Sequence, residues 1–550
     1  MSTAAKDVSP AEGVVRSAGV MSAAVLLSRV TGLVREIVMA RLFGASQLYD
    51  AFLLGFRLPN LTRDLFAEGA LSSAFVPTFT EYLSSKSKEE AARLANLVAT
   101  ALVIVVGLFC LLGFLFAPAL VRLFAPGFEL VPGKFEQAVT LTRIMFPFLL
   151  LVALAAQAMG MLNACNQFGV PALSSSAFNF GSVGFGLILG YGAAPYIGLT
   201  SVDGPILGMA WGVVLGGALQ LFWQIPSLRR QGFHIRPAID WSHPGLRHII
   251  HLMGPAILGG AAVQVNVLVN TNFASYIEDP LRGFNGPVSW LSWAFRFMQL
   301  PLGLFGVAIG SATLPAISRS LASGNLVEFR RTLSRSLGMV FLLTVPSSIG
   351  LTVLGGQIIT AVYQGGKFDS YDTQQTALAL SFYAIGLAGY AASKVINPAF
   401  YALKDSRTPM FMSLTSIAIN YVAASLLIRY TGLGHAGLAL STSVVALSSF
   451  LCLFWILLKR IGGIYGRDLF SSSCKIGIAS LMMGTVVWLI REAFTSWLGT
   501  GRMPSLVCLG ASIPAGLGVL YATCKLLKVP ELELAIKAFT IRASSQTLPS

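Results

Sequence analysis

Charge is what this sequence has least of. Only 11% of its 550 residues are Asp, Glu, Lys or Arg, against about 25% in an ordinary soluble chain. With 55% hydrophobic residues, 36 Phe and a mean hydropathy of +0.73, that shortage excludes a soluble globular fold. The alternating ten-residue segments of a transmembrane β-barrel are missing as well. So is a Gly-rich loop ending in Gly-Lys-Ser/Thr, which leaves ATP without an evident site. The six Cys show no metal-ligand spacing and read as small hydrophobes. No His, Cys and acid set has nucleophilic spacing, so neither an enzyme nor a cofactor is expected. The opening MSTAAKDVSPAEG lacks the compact basic region, apolar run and cleavage site of a signal peptide, so the first apolar stretch is expected to be a retained helix.

What the chain does have is repeated apolar runs of 20 or more residues, the mark of an all-α polytopic membrane protein. Fourteen transmembrane helices are expected, at roughly 14–42, 48–82, 93–120, 137–163, 170–194, 204–228, 246–276, 288–321, 330–355, 374–402, 408–430, 434–458, 473–495 and 504–526. An even number puts both termini on one side. With that side cytoplasmic, the inner segments hold 23 Lys or Arg and the outer loops seven: Arg122, Lys134, Arg282, Lys367, Arg429, Arg491 and Arg502. This is the positive-inside bias. It explains most of the net charge of +15, so no nucleic-acid partner is implied. The longest inner connection, Arg229 to Leu252, mixes Arg, Trp, Ile and Phe and suits an interfacial segment. Its four His (His234, His243, His248, His251) lack acid or Cys companions, which favours an interfacial role over metal binding.

A repeat at an offset near 238 divides the chain. Phe56-Arg57 recurs as Phe295-Arg296, Val76-Pro77 as Leu314-Pro315, the stretch from Arg122 to Phe128 loosely as Ala361 to Phe368, and Pro171 as Pro409. Duplication of a six-helix unit is expected, giving two six-helix lobes around a central cavity plus two extra C-terminal helices. The boundaries are an N-lobe at 1–228, a basic cytoplasmic linker at 229–245, a C-lobe at 246–460, and helices 13 and 14 with a tail at 461–550. Spans two and eight carry Pro and Gly at depth (Pro59, Gly69; Pro301, Gly303, Gly306, Gly310), which loosens helices toward a cavity.

Eight cations lie inside the spans: Arg29, Arg35, Arg41, Arg57, Arg63, Arg143, Arg296 and Lys394. About four acids share that depth: Glu36, Asp50, Asp64 and Glu68. A charge at the bilayer centre costs at least about 2.5 kcal/mol, so it normally faces a partner or a cavity. The surplus of positive charge points to an anionic ligand, and guanidinium groups suit phosphate because their planar donors grip two oxygens at once. An amphipathic anion, with its headgroup in a cavity and its tail in the bilayer, satisfies both constraints. Arg41 and Arg143 lie nearest helix ends and read as anchors. Asp50 opens a helix, where capping competes with a role in a salt bridge that breaks between conformations. Lys394 is either a further anion contact or a core pair.

The motifs then become specific. Ser28-Arg29-Val30-Thr31-Gly32-Leu33-Val34-Arg35-Glu36, Asp50-Ala51-Phe52, Arg57-Leu58-Pro59-Asn60-Leu61 and the run from Phe66 to Pro77 closely resemble the MurJ (MviN) family of bacterial lipid II flippases. That family lies in the multidrug/oligosaccharidyl-lipid/polysaccharide exporter superfamily. The resemblance continues through His251 to Ile257, Val288 to Ser320, Lys367-Phe368 and His435 to Leu438. It implies transport of lipid II, the undecaprenyl-diphosphate-linked peptidoglycan precursor, from the inner to the outer leaflet of the bacterial inner membrane, with helices 13 and 14 forming a groove for the tail. It assigns Arg29, Arg35, Arg63 and Arg296 to the diphosphate and Asp50 and Glu68 to gating or arginine positioning; Gln299 is grouped with those two acids by its place near Arg296, and Arg57, Glu36 and Lys394 are candidates for further cavity contacts. Two positions depart from relatives: Phe295 and Gln299 stand where acids flank the helix-8 arginine. Some relatives bind sodium among helices 7, 11 and 12. Asn266 and Asn270 are the candidates here, but spans 11 and 12 offer no obvious carboxylate. Expected partners are lipid II, membrane lipids, a coupling ion or the membrane potential, and transient contacts with cell-wall synthesis proteins. The competing readings are an exporter of another polyprenyl-diphosphate glycan and a non-transporting scaffold of cell-wall synthesis.

Overall fold

The computed structural model describes residues 10–63, 71–193 and 203–536. Helix dominates them. Among the described residues ten helices are long and apolar enough to cross a membrane, or eleven if the bent pair at Ser370–Ala402 is one span. The expected spans at 14–42, 48–82 and 246–276 are not among these; the helices there are α1 (Pro10–Phe43), α2 (Gln47–Arg63), α3 (Ser72–Ser85) and α11 (Pro244–Ser275). Two compact units form, Met1–Gln264 and Val265–Ser550, and the division falls inside α11.

In the first unit, α4 (Lys88–Leu115) starts where the Ser87 hydroxyl accepts the Glu90 N–H at 3.2 Å, a cap that satisfies one orphan donor of the first turn. Short α5 (Ala117–Phe124), α6 (Lys134–Met145) and α7 (Phe148–Ala164) follow, then α8 (Gly169–Leu187), α9 (Gly204–Phe222) and α10 (Ile225–Arg230). α8 and α9 meet through glycine. A Cβ at Gly212 would lie 2.3 Å from the Ser182 carbonyl oxygen, and one at Gly208 2.3 Å from Gly190 Cα. Only a bare backbone fits there, which is how membrane helices gain packing without a hydrophobic drive between them. α1 is held to α8 by Asn179, whose Nδ2 donates to the Ser28 carbonyl and the Thr31 hydroxyl, both at 3.2 Å. The buried core of α3, α4 and α7 includes Phe75, Phe79, Tyr82 and Leu94, while Val105, Leu108, Leu111 and Leu115 stand exposed on α4. In a span this apolar, such an outward row is a lipid-facing surface.

The segment after α10 does not hang free. The Arg236 N–H donates to Asn96 Oδ1 at 3.1 Å and the Ala238 N–H to Thr100 Oγ1 at 3.0 Å, so the strand-like stretch lies along α4. Arg93 pairs with Asp240 at 3.4 Å, and hydrogen bonds from Ser242, chiefly its hydroxyl, hold the Asp240 carboxyl below the usual carboxylate range. Of the four His, His243 is buried against Tyr82 and the other three are exposed. No group of His, Cys, Asp or Glu suited to a metal occurs among the described residues.

In the second unit, α12 (Pro287–Pro301) and α13 (Ala308–Ala322) are joined by a π-helical turn at Leu302–Val307, so the eighth span is interrupted next to Pro301. Proline frees a carbonyl and displaces the ladder, and a π turn absorbs the slack. α14 (Leu326–Val362) is capped by Asn325, which accepts the Glu328 N–H at 2.9 Å. α15 (Ser370–Ile385) and α16 (Leu387–Ala402) bend by 42° at Gly386. The cause is Ser443 of α18 (His435–Ile461): its hydroxyl donates to the Phe382 carbonyl at 2.6 Å and accepts the Gly386 N–H at 3.0 Å. A side chain inserted into the ladder is a recognised origin of a kink. α17 (Arg407–Thr431), α19 (Gly466–Leu498) and α20 (Arg502–Leu526) complete the unit.

Candidate functional site

Arg35 is the best-built cation. Its guanidinium lies 5.5 Å from the Phe56 ring centroid of α2 and 5.4 Å from that of Phe178 of α8. Its Nη2 donates to Glu36 Oε1 at 3.1 Å, and the two side chains are only 15% and 10% exposed. Phe148 completes the aromatic wall, 5.9 Å from Phe56 and 5.2 Å from Phe178. Ring faces attract a cation by about 0.5–1 kcal/mol at an exposed site and about 2 kcal/mol or more when it is desolvated. The wall therefore fixes the guanidinium while leaving donors for a ligand.

Arg29 sits nearly two turns earlier on α1 and is exposed. The Asn179 bonds to Ser28 and Thr31 bracket it in sequence, so the backbone that carries it is pinned. Arg57 and Arg63 on α2 are half-buried and engaged with neighbouring groups, as is Arg41 at the end of α1. Arg143 stacks 5.5 Å from Phe114 and donates to its carbonyl at 3.2 Å, an anchoring geometry. Glu68 and Asp64 lie outside the described residues.

Asp50 belongs to a different constellation from the one its sequence neighbours suggest. It is fully buried and accepts from Lys134 Nζ at 2.9 Å, and Lys134 is fully buried too. Lys134, read from sequence as an outer-loop residue, is instead packed 4.3 Å from the Phe128 ring centroid. The turn Pro126–Leu130 brings that ring beneath the ammonium. Beside the pair, Gln47 Nε2 donates to Gln137 Oε1 at 3.2 Å, and Gln137 donates to Asp203 Oδ1 at 2.9 Å. The result ties α2, α6 and the start of α9 together at one end of the unit.

In the second unit Arg296 and Gln299 are both exposed on α12, and Arg296 is engaged with neighbouring groups. Phe295, in the place of an acid, packs edge-on to Tyr383 at 5.3 Å. Lys394 on α16 is exposed, and Gly310 lies against its backbone: a Cβ there would come 2.3 Å from the Lys394 carbonyl. Asn266 and Asn270 enter a neutral network with α17 and α18. Asn266 donates to Ser416 Oγ, Asn270 to Thr442 Oγ1 and Asn420 to Asn270 Oδ1, each at 3.0 Å. Amides and hydroxyls here bond to one another, and none of these named members is a carboxylate. A second acidic knot was missed by sequence reasoning. Fully buried Asp372 accepts from Trp290 Nε1 at 3.0 Å, Arg282 reaches Asp369 at 2.6 Å and Asp372 at 3.5 Å, and Tyr371 donates to Asp279 at 2.7 Å. The available signal was Asp369, three residues before Asp372, capping the start of α15.

The fold, a polytopic helical bundle with interrupted helices, is one found among transporters of the multidrug/oligosaccharidyl-lipid/polysaccharide exporter class. A solved structure titled as an inward-facing multidrug resistance MATE transporter of that superfamily shares the fold at TM-score 0.63 and 13% identity, over 80% of this chain and 98% of that one. The family model described as lipid II flippase MurJ matches residues 39–508, and the chain belongs to this family. A lipid II flippase MurJ of Burkholderia cenocepacia is 35% identical over 80% of this chain and 82% of its own length. A probable lipid II flippase MurJ of Vibrio cholerae is 31% identical over 95% and 98%. A solved structure of lipid II flippase MurJ in an inward closed conformation superposes at TM-score 0.73 with 27% identity, covering 92% of this chain and 99% of that one. The chain is accordingly a multi-pass protein of the bacterial inner membrane.

Proposed function

We propose that this protein flips lipid II from the inner to the outer leaflet by alternating access. The observation that carries the reading is the match of the lipid II flippase family across residues 39–508, together with an Arg35 held against two aromatic rings in a span that would otherwise exclude charge. Arg29, Arg35, Arg63 and Arg296 are assigned to the diphosphate, which two or three guanidinium groups can neutralise and grip. Glu36 orients Arg35. Asp50 acts through Lys134, joining α2 to α6, and Glu68 and Gln299 keep their assignment to gating or arginine positioning. Arg57 and Lys394 are reserve contacts for the headgroup.

The reading includes fourteen spans, with an N-lobe at 1–228, a linker at 229–245, a C-lobe at 246–460 and the C-terminal pair with its tail at 461–550. Both termini lie in the cytoplasm, as the positive-inside bias requires. No nucleotide drives the cycle; the membrane potential, worth about 2.3 kcal/mol per charge at 100 mV, or a coupling ion supplies direction. Membrane lipids and proteins of cell-wall synthesis are its neighbours. The test is depletion in the host with a leaflet-specific assay of lipid II. Outward delivery should stop, return with wild type and stay absent with Arg29→Ala. Normal delivery after depletion rejects the function, and rescue by Arg29→Ala rejects the diphosphate assignment.

A further inference from the structure

At the C-terminal end of α14, a cavity of about 280 Å³ is lined by the start of α15 and by the turn from α19 into α20. No residue lining it is charged. Gln357, Gln364 and Gln374 contribute amides, and Thr360, Thr373 and Thr495 contribute hydroxyls. Arg491 and Arg502 lie close in sequence but spend donors on backbone: Arg491 Nη1 donates to the Val353 carbonyl at 3.2 Å and Arg502 Nε to that of Ala361 at 3.1 Å. With no charged group in its lining, the site is not built for phosphate. Amides and hydroxyls offer donors and acceptors side by side, the requirement of a polyhydroxylated neutral ligand. Phe494 supplies one half-buried ring at the edge, an apolar face against which a pyranose can lie. Gln357 is half-buried on the cavity wall, and its amide can both donate and accept.

Position adds a second argument. Gln357 lies 27 residues after Arg330 on the continuous helix α14, about 40 Å along its axis. That exceeds the roughly 30 Å hydrocarbon core. Since Arg330, Arg331 and Arg335 mark the inner end, the cavity opens on the outer side. Its volume falls just below the roughly 300 Å³ at which pockets for drug-sized ligands begin, which suits one sugar ring rather than a whole headgroup.

We infer that this cavity is an outer-face saccharide subsite that holds one uncharged N-acetylated hexosamine ring, with the lining glutamine amides and threonine hydroxyls as its hydrogen-bond partners. The physiological ligand rests on the orientation and function proposed above; binding itself does not. Two sources carry this chemistry, the sugars of the lipid just delivered and the glycan already outside. The test is saturation-transfer difference NMR on the full chain in lipid nanodiscs, with N,N'-diacetylchitobiose as the probe. Wild type should show saturable transfer. Gln357→Leu/Gln374→Leu, losing two hydrogen-bonding side chains, should weaken binding by about tenfold or more. Thr500→Trp, at the exposed turn, should block it without disturbing the helices. No transfer to wild type overturns the site, as does undiminished binding by Thr500→Trp. Lipid II delivery then separates the sources: slowed delivery by Thr500→Trp supports the carried lipid, and unchanged delivery with lost probe binding supports the glycan. Failure of wild type to deliver lipid II would sink the flippase reading and leave the binding result standing.

Discussion

Lys134→Met breaks the buried pair with Asp50 from one side, and its cost can be worked from the geometry. At 2.9 Å and an effective dielectric of about 20, the attraction is about 6 kcal/mol. Desolvating each ion takes back several kcal/mol, so the intact pair adds little net stability. Removing one partner is different, because the survivor stays buried without its counter-charge; such changes cost about 3–5 kcal/mol. For a unit the size of Met1–Gln264, at about 2 °C per kcal/mol, Lys134→Met should melt about 6–10 °C below wild type. Asp50→Asn, which strands the ammonium, should lose a similar amount. The double variant Asp50→Asn/Lys134→Met should recover most of the loss, because neither ion remains to be stranded. Thermal unfolding in detergent, read by tryptophan fluorescence, completes the cycle. Singles within 1–2 °C of wild type, or a double variant that simply adds the two losses, would refute this reasoning.

Other consequences follow from named contacts. Phe178→Leu removes one ring from Arg35, a loss of about 0.5–2 kcal/mol, so lipid II delivery should slow by about two- to thirtyfold while Phe178→Tyr retains it. Asp405 caps α17 through Thr408 and pairs with Arg460, and chiefly the Thr408 hydroxyl and N–H hold its pKa down to about 2. A depressed carboxylate stabilises above its ordinary pKa near 4 and loses that contribution as pH falls through about 2. The wild-type melting temperature should therefore drop between pH 4 and 2 more steeply than that of Asp405→Asn, and parallel curves would contradict the cap. Melting should not differ between sodium and potassium buffers, because the named amides and hydroxyls around Asn270 include no carboxylate to hold a cation; Asn420→Asp should create a sodium-dependent rise, and a rise in wild type would reject the neutral-network reading.

The helical class and the arginines of spans one, two and eight were legible because a charge inside an apolar run is conspicuous without any partner in view. Arg35's aromatic wall was not, since Phe56 and Phe178 meet it from other helices and Phe is common throughout. The burial of Lys134 was hidden for a related reason. Val131-Pro132-Gly133-Lys134 reads locally as an outer turn, and the carboxylate that draws the lysine inward is 84 residues away. The break after Pro301 carried its own signal. The bend at Gly386 did not, because it is made by Ser443 of another helix. The glycine seam of α8 and α9 was visible as Gly204, Gly208, Gly212 and Gly216 at a spacing of four, yet only the close approach of Gly212 to Ser182 and Gly186 gives that spacing a meaning.

The central claim is that this chain moves lipid II and that its deep arginines hold the diphosphate while it does so. The most direct measurement is leaflet accessibility of labelled lipid II in proteoliposomes containing the purified protein, wild type beside Arg35→Ala and Arg35→Lys. Wild type should move the label across the membrane, Arg35→Ala should abolish movement, and Arg35→Lys, which keeps the charge but loses the planar fork, should fall between them. Movement by Arg35→Ala at the wild-type rate would contradict the account.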